Sequence, residues 1–328
     1  MDQIANTFEA FNRLRVLIIG DVMIDRYLRG RVQRISPEAP VPVVQWQDNE
    51  DRLGGAANVA LNIKAMGATP YLFSVIGKDD NQHSFLTEMQ QNGLDDRGII
   101  LSGERVTTVK TRVIAQNQHL LRVDKEDTHD LSEKEADHLL ARLTDCLEEF
   151  PIDVIIFQDY NKGVLRPDLI RTVIDLAEKR QIPTVVDPKF KNFWNYRNVT
   201  LFKPNLREIQ DQLSFRVAPE ADSLLTAARV IRERLNNRIS LVTLSDKGLF
   251  AEQNGQYHLL PTQARNIADV CGAGDTVISV VSLGLALGLP LEEIGQLANL
   301  AGGQVCEKVG VVPVDKAQLQ REFANLAV

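Results

Sequence analysis

Short β-branched apolar runs alternate along this chain with longer stretches in which apolar residues recur every three or four positions. The first run, Arg15-Val16-Leu17-Ile18-Ile19-Gly20, reads as a central parallel strand that opens into a loop at Gly20-Asp21. From Tyr27 to Trp46 the pattern turns polar and proline-punctuated, with the alternation Val41-Pro42-Val43-Val44-Gln45-Trp46, which suits edge strands projecting from the main body. Gly54-Gly55-Ala56-Ala57-Asn58 opens a helix carrying Val59, Ile63 and Met66, with Gly67 as its stop. A strand at Tyr71–Gly77, a helix ending at Gly93 and a Thr- and Val-rich strand-like segment from Val106 to Arg122 follow. That segment is expected to pair with the earlier projection, making a small β lid from about 27–46 and 105–123.

After Glu126 the rhythm is regular. Ala136, Leu139, Leu140, Leu143, Leu147 and Phe150 form one helical face, and strands at Val154–Phe157, Thr184–Val186, Thr200–Phe202 and Ile239–Leu244 each end in polar residues. Residues 249–260 read as an antiparallel hairpin turned at Asn254-Gly255. The alternation predicts one α/β domain over 1–328, with a mostly parallel sheet covered by helices on both faces.

Composition narrows the partners. Net charge is −7 over 328 residues, which argues against nucleic acid or an anionic membrane surface and favours a small substrate. The first 15 residues lack an apolar signal region, and the longest apolar run, near 277–289, stops at Pro290, so a cytoplasmic location is expected. Cys146, Cys271 and Cys306 make no CxxC pair, and the five histidines make no HExxH, so neither a disulfide framework nor a zinc site is indicated.

The densest chemistry lies at Asp269-Val270-Cys271-Gly272-Ala273-Gly274-Asp275-Thr276, immediately before an apolar helix. A small-residue turn at a helix start aims unpaired N–H groups at one point, which suits a phosphate, and Asp275 sits at the same point. The P-loop pattern is absent because Gly77-Lys78 is followed by Asp79. A dinucleotide fingerprint fails because Val277 stands where its third glycine belongs. Phosphoryl transfer to a hydroxyl fits the remainder. Asp275 would be the base, or merely the cap of a core helix; Gly272, Ala273 and Gly274 would be the anion hole, and Lys189 a further cation or a solvated surface charge; Asn205 and Glu208 would hold Mg²⁺ through water, or merely start a helix. Asp21 and Asp25, close behind the first strand, offer acceptors for sugar hydroxyls or caps for a turn.

Gly272-Ala273-Gly274-Asp275 opening an apolar helix, Asn205-x-x-Glu208 upstream, and the early Gly54-Gly55-x-x-Asn58 together resemble the ribokinase/phosphofructokinase-B family of sugar kinases, over nearly the whole chain. The resemblance implies a ribokinase-like three-layer fold, a β lid that closes over the sugar and serves a homodimer, Mg-ATP as donor, and K⁺ near the anion hole. By position it implies sugar contacts at Asp25, Gly54, Gly55 and Asn58. Thr243, Ser245 and Gly248 would line the nucleotide side, Asn299 would lie near the adenine, and Asp269 would border the monovalent cation.

Within the family, Gly20–Tyr27, Arg34–Val44, Asp159-Tyr160-x-Lys162-Gly163 and Asp187-Pro188-Lys189 resemble the kinase domain of the bacterial heptose 7-phosphate kinase/heptose 1-phosphate adenylyltransferases. The implied reaction is phosphorylation of the anomeric hydroxyl of D-glycero-D-manno-heptose 7-phosphate, with Arg34, Lys162, Lys189 or Arg122 meeting the substrate phosphate. With the chain ending at Val328, no fused nucleotidyltransferase domain is expected. A kinase of ribose or fructose 6-phosphate, or a sugar or nucleotide sensor without catalysis, are the alternatives.

Overall fold

The computed structural model describes residues 2–116 and 118–326. In chain order its elements are α1 Asp2–Ala10, β1 Arg15–Gly20, β2 Val22–Ile35, β3 Pro42–Gly55, α2 Ala56–Ala65, β4 Thr69–Gly77, α3 Asn81–Gln91, β5 Ile99–Ser102, β6 Val109–Ala115 and β7 Gln118–Lys125. The second half adds α4 Glu133–Glu149, β8 Val154–Gln158, α5 Pro167–Lys179, β9 Thr184–Asp187, β10 Leu201–Phe202, α6 Leu206–Gln212, α7 Ala221–Leu235, β11 Ile239–Thr243, β12 Leu249–Gln253, β13 Gln256–Leu260, α8 Ala273–Ala286, α9 Leu291–Cys306 and α10 Lys316–Leu326.

Apolar residues on both faces of β1 make it a central strand. Val16 and Ile18 join one core with α2, α8 and α9, while Leu17 and Ile19 join another with α4, α5 and α7. The large sheet has nine strands in the order β13-β12-β11-β10-β9-β8-β1-β4-β5, parallel from β11 to β5 and antiparallel at β12 and β13. The Asn254-Gly255 hairpin is thus the sheet's edge, with Gln253 facing Gln256 across the turn. Two helical layers around a parallel sheet are what the alternating pattern predicts.

The second sheet, β3-β2-β6-β7, has four strands and is larger than the sequence pattern indicates. Its strands cover 22–35, 42–55, 109–115 and 118–125, against the expected 27–46 and 105–123. Its first residues, Val22 to Asp25, are all buried against the body, so they lack the alternation that marks a half-exposed strand. No loop follows Gly20: only Asp21 separates β1 from β2. The sheet is tied down at its base, where Tyr27 Oη accepts from Val311 N–H at 3.1 Å and Arg52 donates to the Val311 carbonyl at 3.0 Å. Arg52 and Arg112 also lie over the Tyr27 ring, at 5.1 and 5.3 Å from its centroid.

Candidate active site

The carboxyl ends of β1, β8 and β9 and the start of α8 meet at one place, the position where open parallel sheets carry ligands. Gly272 caps α8 with φ 80°, a left-handed conformation that glycine adopts without strain. A side chain there would also meet Asn58 Nδ2 at 3.0 Å. Ala273 N–H reaches the Val270 carbonyl at 3.4 Å, whereas among the described residues the N–H groups of Gly272 and Gly274 have no backbone acceptor. Donors left free at a helix start are suited to an anion.

Asp275 follows in the first turn and is 4% exposed. Its Oδ1 accepts from the Tyr160 hydroxyl at 2.6 Å and from Gln158 Nε2 at 3.0 Å; its Oδ2 accepts from Asn58 Nδ2 at 2.8 Å. Burial pushes its carboxyl up to about 6, assisted by the carboxylates of Asp187 and Asp25 and opposed by the Tyr160 and Asn58 hydrogen bonds. A base with that affinity for protons is ionised at neutral pH yet basic enough to take one.

Asn58, expected as a sugar contact, is fully buried and holds the Asp275 carboxylate. It is seated in turn by Asn62, whose Nδ2 donates to the Asn58 carbonyl at 2.9 Å while its Oδ1 accepts from the Thr276 hydroxyl and Val314 N–H. Gln158, buried at the end of β8, also donates to Asp187 Oδ2 at 3.3 Å, and Asp187 pairs with buried Lys203 at 3.0 Å. The Asp187 carboxylate lies beside Gly274, so the Lys203 charge keeps the anion hole from facing a bare negative group.

Lys189 and Glu208 form an ion pair, with Lys189 Nζ 5.6 Å from the centre of the Tyr160 ring. Asn205 and Glu208 make a full capping box: Asn205 Oδ1 accepts from Glu208 N–H at 2.8 Å and Glu208 Oε2 from Asn205 N–H at 2.9 Å. These residues start a helix and at the same time bring a carboxylate toward Lys189. Burial and Asp187 raise the Glu208 carboxyl, against the pull of Lys189 and Lys203. The donor set fits a divalent ion held through water, since Glu208 is anchored by the cap through one oxygen and shares the other with the Lys189 ammonium.

The residues expected on the nucleotide side fall into one neighbourhood. Thr243 bridges to Asn205, Ser245 has φ 58°, and Gly248 has φ 94° where a Cβ would lie 1.9 Å from the Leu260 carbonyl. Asn299 donates to the Leu260 and Pro261 carbonyls at 3.4 and 2.8 Å. Asp269 is committed to the backbone, its oxygens accepting from Cys271 N–H at 3.0 Å and Gly310 N–H at 2.9 Å. Burial would raise its carboxyl, but those donors hold it below the usual range. Burial and Asp269 push the Cys271 thiol up to about 11, which keeps it neutral.

On the lid side, Asp25 is buried and paired with Arg112. Gly54 lies against that pair, since a Cβ there would stand 2.3 Å from Asp25 Oδ2. Gly55, with φ 61°, ends β3 and caps α2. Asp21, expected as a sugar contact, is buried and committed to the backbone: its carboxylate takes the N–H groups of Tyr160, Lys162 and Val164 at 2.8, 3.0 and 3.1 Å. Lys162 Nζ pairs with Glu126 at 2.7 Å. Arg34 is exposed at the far end of β2, opposite Val43 and nine residues along the strand from Asp25, so it is not gathered into the site of its own chain. Arg122 is likewise exposed and paired with Asp124 at 2.9 Å. Sequence reasoning missed Arg112, Gln158, Asn62 and Lys203 as members of the site. Gln158 and Lys203 each stood in a polar strand end, and that placement was their one signal.

Comparison with known proteins bears on this geometry. The pfkB family carbohydrate kinase profile matches residues 13–317. The bifunctional protein HldE of Methylobacillus flagellatus is 42% identical over 312 residues, covering 94% of this chain and 63% of that protein. The bifunctional protein HldE of Syntrophotalea carbinolica is 38% identical, covering 99% of this chain and 66% of that one. The chain thus spans under two thirds of the length of these relatives. Among solved structures, phosphofructokinase-2 from Escherichia coli in complex with potassium superposes with a TM-score of 0.79 at 18% identity, covering 96% of this chain and 99% of that one. Arabidopsis thaliana ribokinase complexed with ribose and ATP superposes at 0.72 and 14% identity, covering 94% and 99%. These likenesses establish the ribokinase-like fold. The chain belongs to the pfkB family of carbohydrate kinases.

Proposed function

We propose that this kinase transfers the γ-phosphoryl group of Mg-ATP to the anomeric hydroxyl of D-glycero-D-manno-heptose 7-phosphate, giving the 1,7-bisphosphate. The observation that carries the transfer chemistry is the buried Asp275 carboxylate, raised to about 6 at the mouth of a helix with free N–H donors. The choice of sugar rests on the motifs at 20–44, 159–163 and 187–189, which resemble those of heptose 7-phosphate kinases.

In this reading Asp275 takes the proton of the acceptor hydroxyl, and the N–H groups of Gly272 and Gly274, with Ala273 between them, face the transferring phosphoryl charge. Lys189 and Lys203 supply positive charge beside it. Glu208, steadied by Asn205, holds the divalent ion through water, and that ion supplies charge neutralisation along the triphosphate. Thr243, Ser245, Gly248 and Asn299 border the nucleotide. Asp25, set by Arg112 and by the close approach of Gly54, is the sugar's acceptor. Lys162, now held by Glu126, is the cation assigned to the substrate phosphate. Asp269 is the carboxylate nearest a K⁺ site; the potassium complex of Escherichia coli phosphofructokinase-2 supports testing that ion.

The small sheet supports a homodimer. It exposes Ile35, Trp46, Leu121 and Val123, and the β2–β3 connection exposes Val41, with Trp46 61% accessible.

A panel of sugars and sugar phosphates with Mg-ATP, read by ADP release and product identification, tests the function. Turnover that depends on heptose 7-phosphate is expected. Turnover of a different sugar in its place overturns the substrate and leaves the kinase chemistry standing. Ligand-dependent stabilisation with no ADP from any sugar overturns catalysis in favour of a sensor.

A further inference from the structure

We propose that Tyr160 is a positioning residue for Asp275, pinning its Oδ1 so that the proton of the acceptor hydroxyl is delivered to Oδ2. The proposal rests on Asp275 being the base. Each carboxylate oxygen offers two lone pairs. Oδ1 has both engaged, by the Tyr160 hydroxyl at 2.6 Å and Gln158 Nε2 at 3.0 Å. Oδ2 has one engaged, by Asn58 at 2.8 Å, and one free.

Tyr160 is well placed for this work because it is itself fixed at both ends. Its backbone N–H is held by Asp21 Oδ2 at 2.8 Å, and the Lys189 ammonium lies over its ring. Gln158 cannot substitute for it, since the same Nε2 is divided between Asp275 and Asp187. Burial, then the Asp275 and Asp187 carboxylates, raise the Tyr160 phenol well above its ordinary range, so it remains a donor throughout. In the step itself, the acceptor O–H bond breaks and its proton bonds to Oδ2. The oxygen's electron pair forms the new bond to the γ-phosphorus of ATP, and the bond from that phosphorus to the bridging oxygen breaks, its pair leaving with ADP. Tyr160 loses nothing.

The charged groups that face Asp275 are Asp187 from β9, Asp25 from β2 and Lys189 from the loop after β9. Lys203 offsets Asp187 and Arg112 offsets Asp25. None of these is altered by Tyr160→Phe, which also preserves the ring beneath Lys189. The variant removes one donor to the ionised carboxylate, so proton affinity at Asp275 must rise.

The decisive measurement is a pH titration of protein labelled with ¹³C at the aspartate carboxyls, with Asp275 assigned by its loss in Asp275→Asn. In Tyr160→Phe the Asp275 midpoint is expected to move upward by roughly half to one pH unit. An unmoved or lowered midpoint overturns the proposal, with or without turnover of any sugar, which separates its failure from that of the proposed function. With the sugar that the panel identifies, the acid limb of kcat should move by the same amount. Activity near pH 8 should fall no more than about threefold while the loss deepens toward pH 5.5. An even loss at every pH with a stationary acid limb would mean that Tyr160 only shapes the pocket, and overturns the assignment.

Discussion

At Asp275 the requirements of stability and chemistry oppose each other. Its raised carboxyl means that between about pH 4 and 6 the folded chain binds more protons there than the unfolded chain does. Stability contributed by this residue is therefore lost as pH rises through that window, and a displacement of roughly two pH units corresponds to about 3 kcal/mol. Asp275→Asn carries no charge to bury. Its melting temperature relative to wild type should climb from pH 5 to pH 8, in paired thermal melts; a flat difference would show that the carboxyl is not displaced. In the same variant kcat should fall by roughly 10²–10⁴, the scale of general-base removal, read as ADP release. Wild-type-like turnover would eliminate Asp275 as the base. Asp275 was legible only beside Asn205-x-x-Glu208 and Gly54-Gly55-x-x-Asn58, because a carboxylate before an apolar run caps a helix as readily as it takes a proton. Arg112 was not, because a charged residue in an alternating strand normally faces solvent, and only the pairing of β6 with β2 turns it onto Asp25.

Among the elements, the segment from Gln158 to Val164 depends on a buried carboxylate pair. Asp21 accepts three of its backbone N–H groups, and Asp159 accepts from Tyr196 at 2.7 Å and from Asn161 N–H at 2.8 Å. Burial, then the neighbouring Asp21 charge, push the Asp159 carboxyl up to about 6. Asp21→Asn leaves one acceptor oxygen for three donors and should cost roughly 2–3 kcal/mol in urea unfolding, the value of hydrogen bonds to a charged group. An unchanged midpoint would mean that the loop holds its own shape. The sequence marks Asp21 as polar and close behind a strand, which is equally the mark of a ligand. Which it is depends on whether backbone donors from 140 residues later arrive first, and no local pattern carries that. Similarly, Gly54-Gly55 reads as a helix opening, and the opening is real, but Gly54 is needed for a different reason. Gly54→Ala should displace the Asp25–Arg112 pair, raising KM for the sugar more than it lowers kcat, as measured by steady-state kinetics.

For the whole molecule, the layered α/β architecture followed from apolar period alone, whereas the extent of the lid did not, because its base is buried like the core. Its outer part remains apolar and open. Trp46→Glu should shift a homodimer to monomer in sedimentation velocity without changing the melting temperature of the body by more than a few degrees. Wild-type protein that sediments as a monomer at micromolar concentration would remove the lid from assembly.

The short covalent step from β1 through Asp21 to β2 contrasts with the wide sequence gaps that separate Asp275 from its donors, 115 residues to Tyr160 and 217 to Asn58. Contacts so distant along a chain form late, after the entropy of closing the intervening segments has been overcome. Residues up to 160 carry the lid strands and β1, β4 and β8, and Asp275 lies more than a hundred residues beyond them. Turnover is consequently a clock for the final docking of α8, and in refolding it should recover after the far-ultraviolet helical signal has already returned.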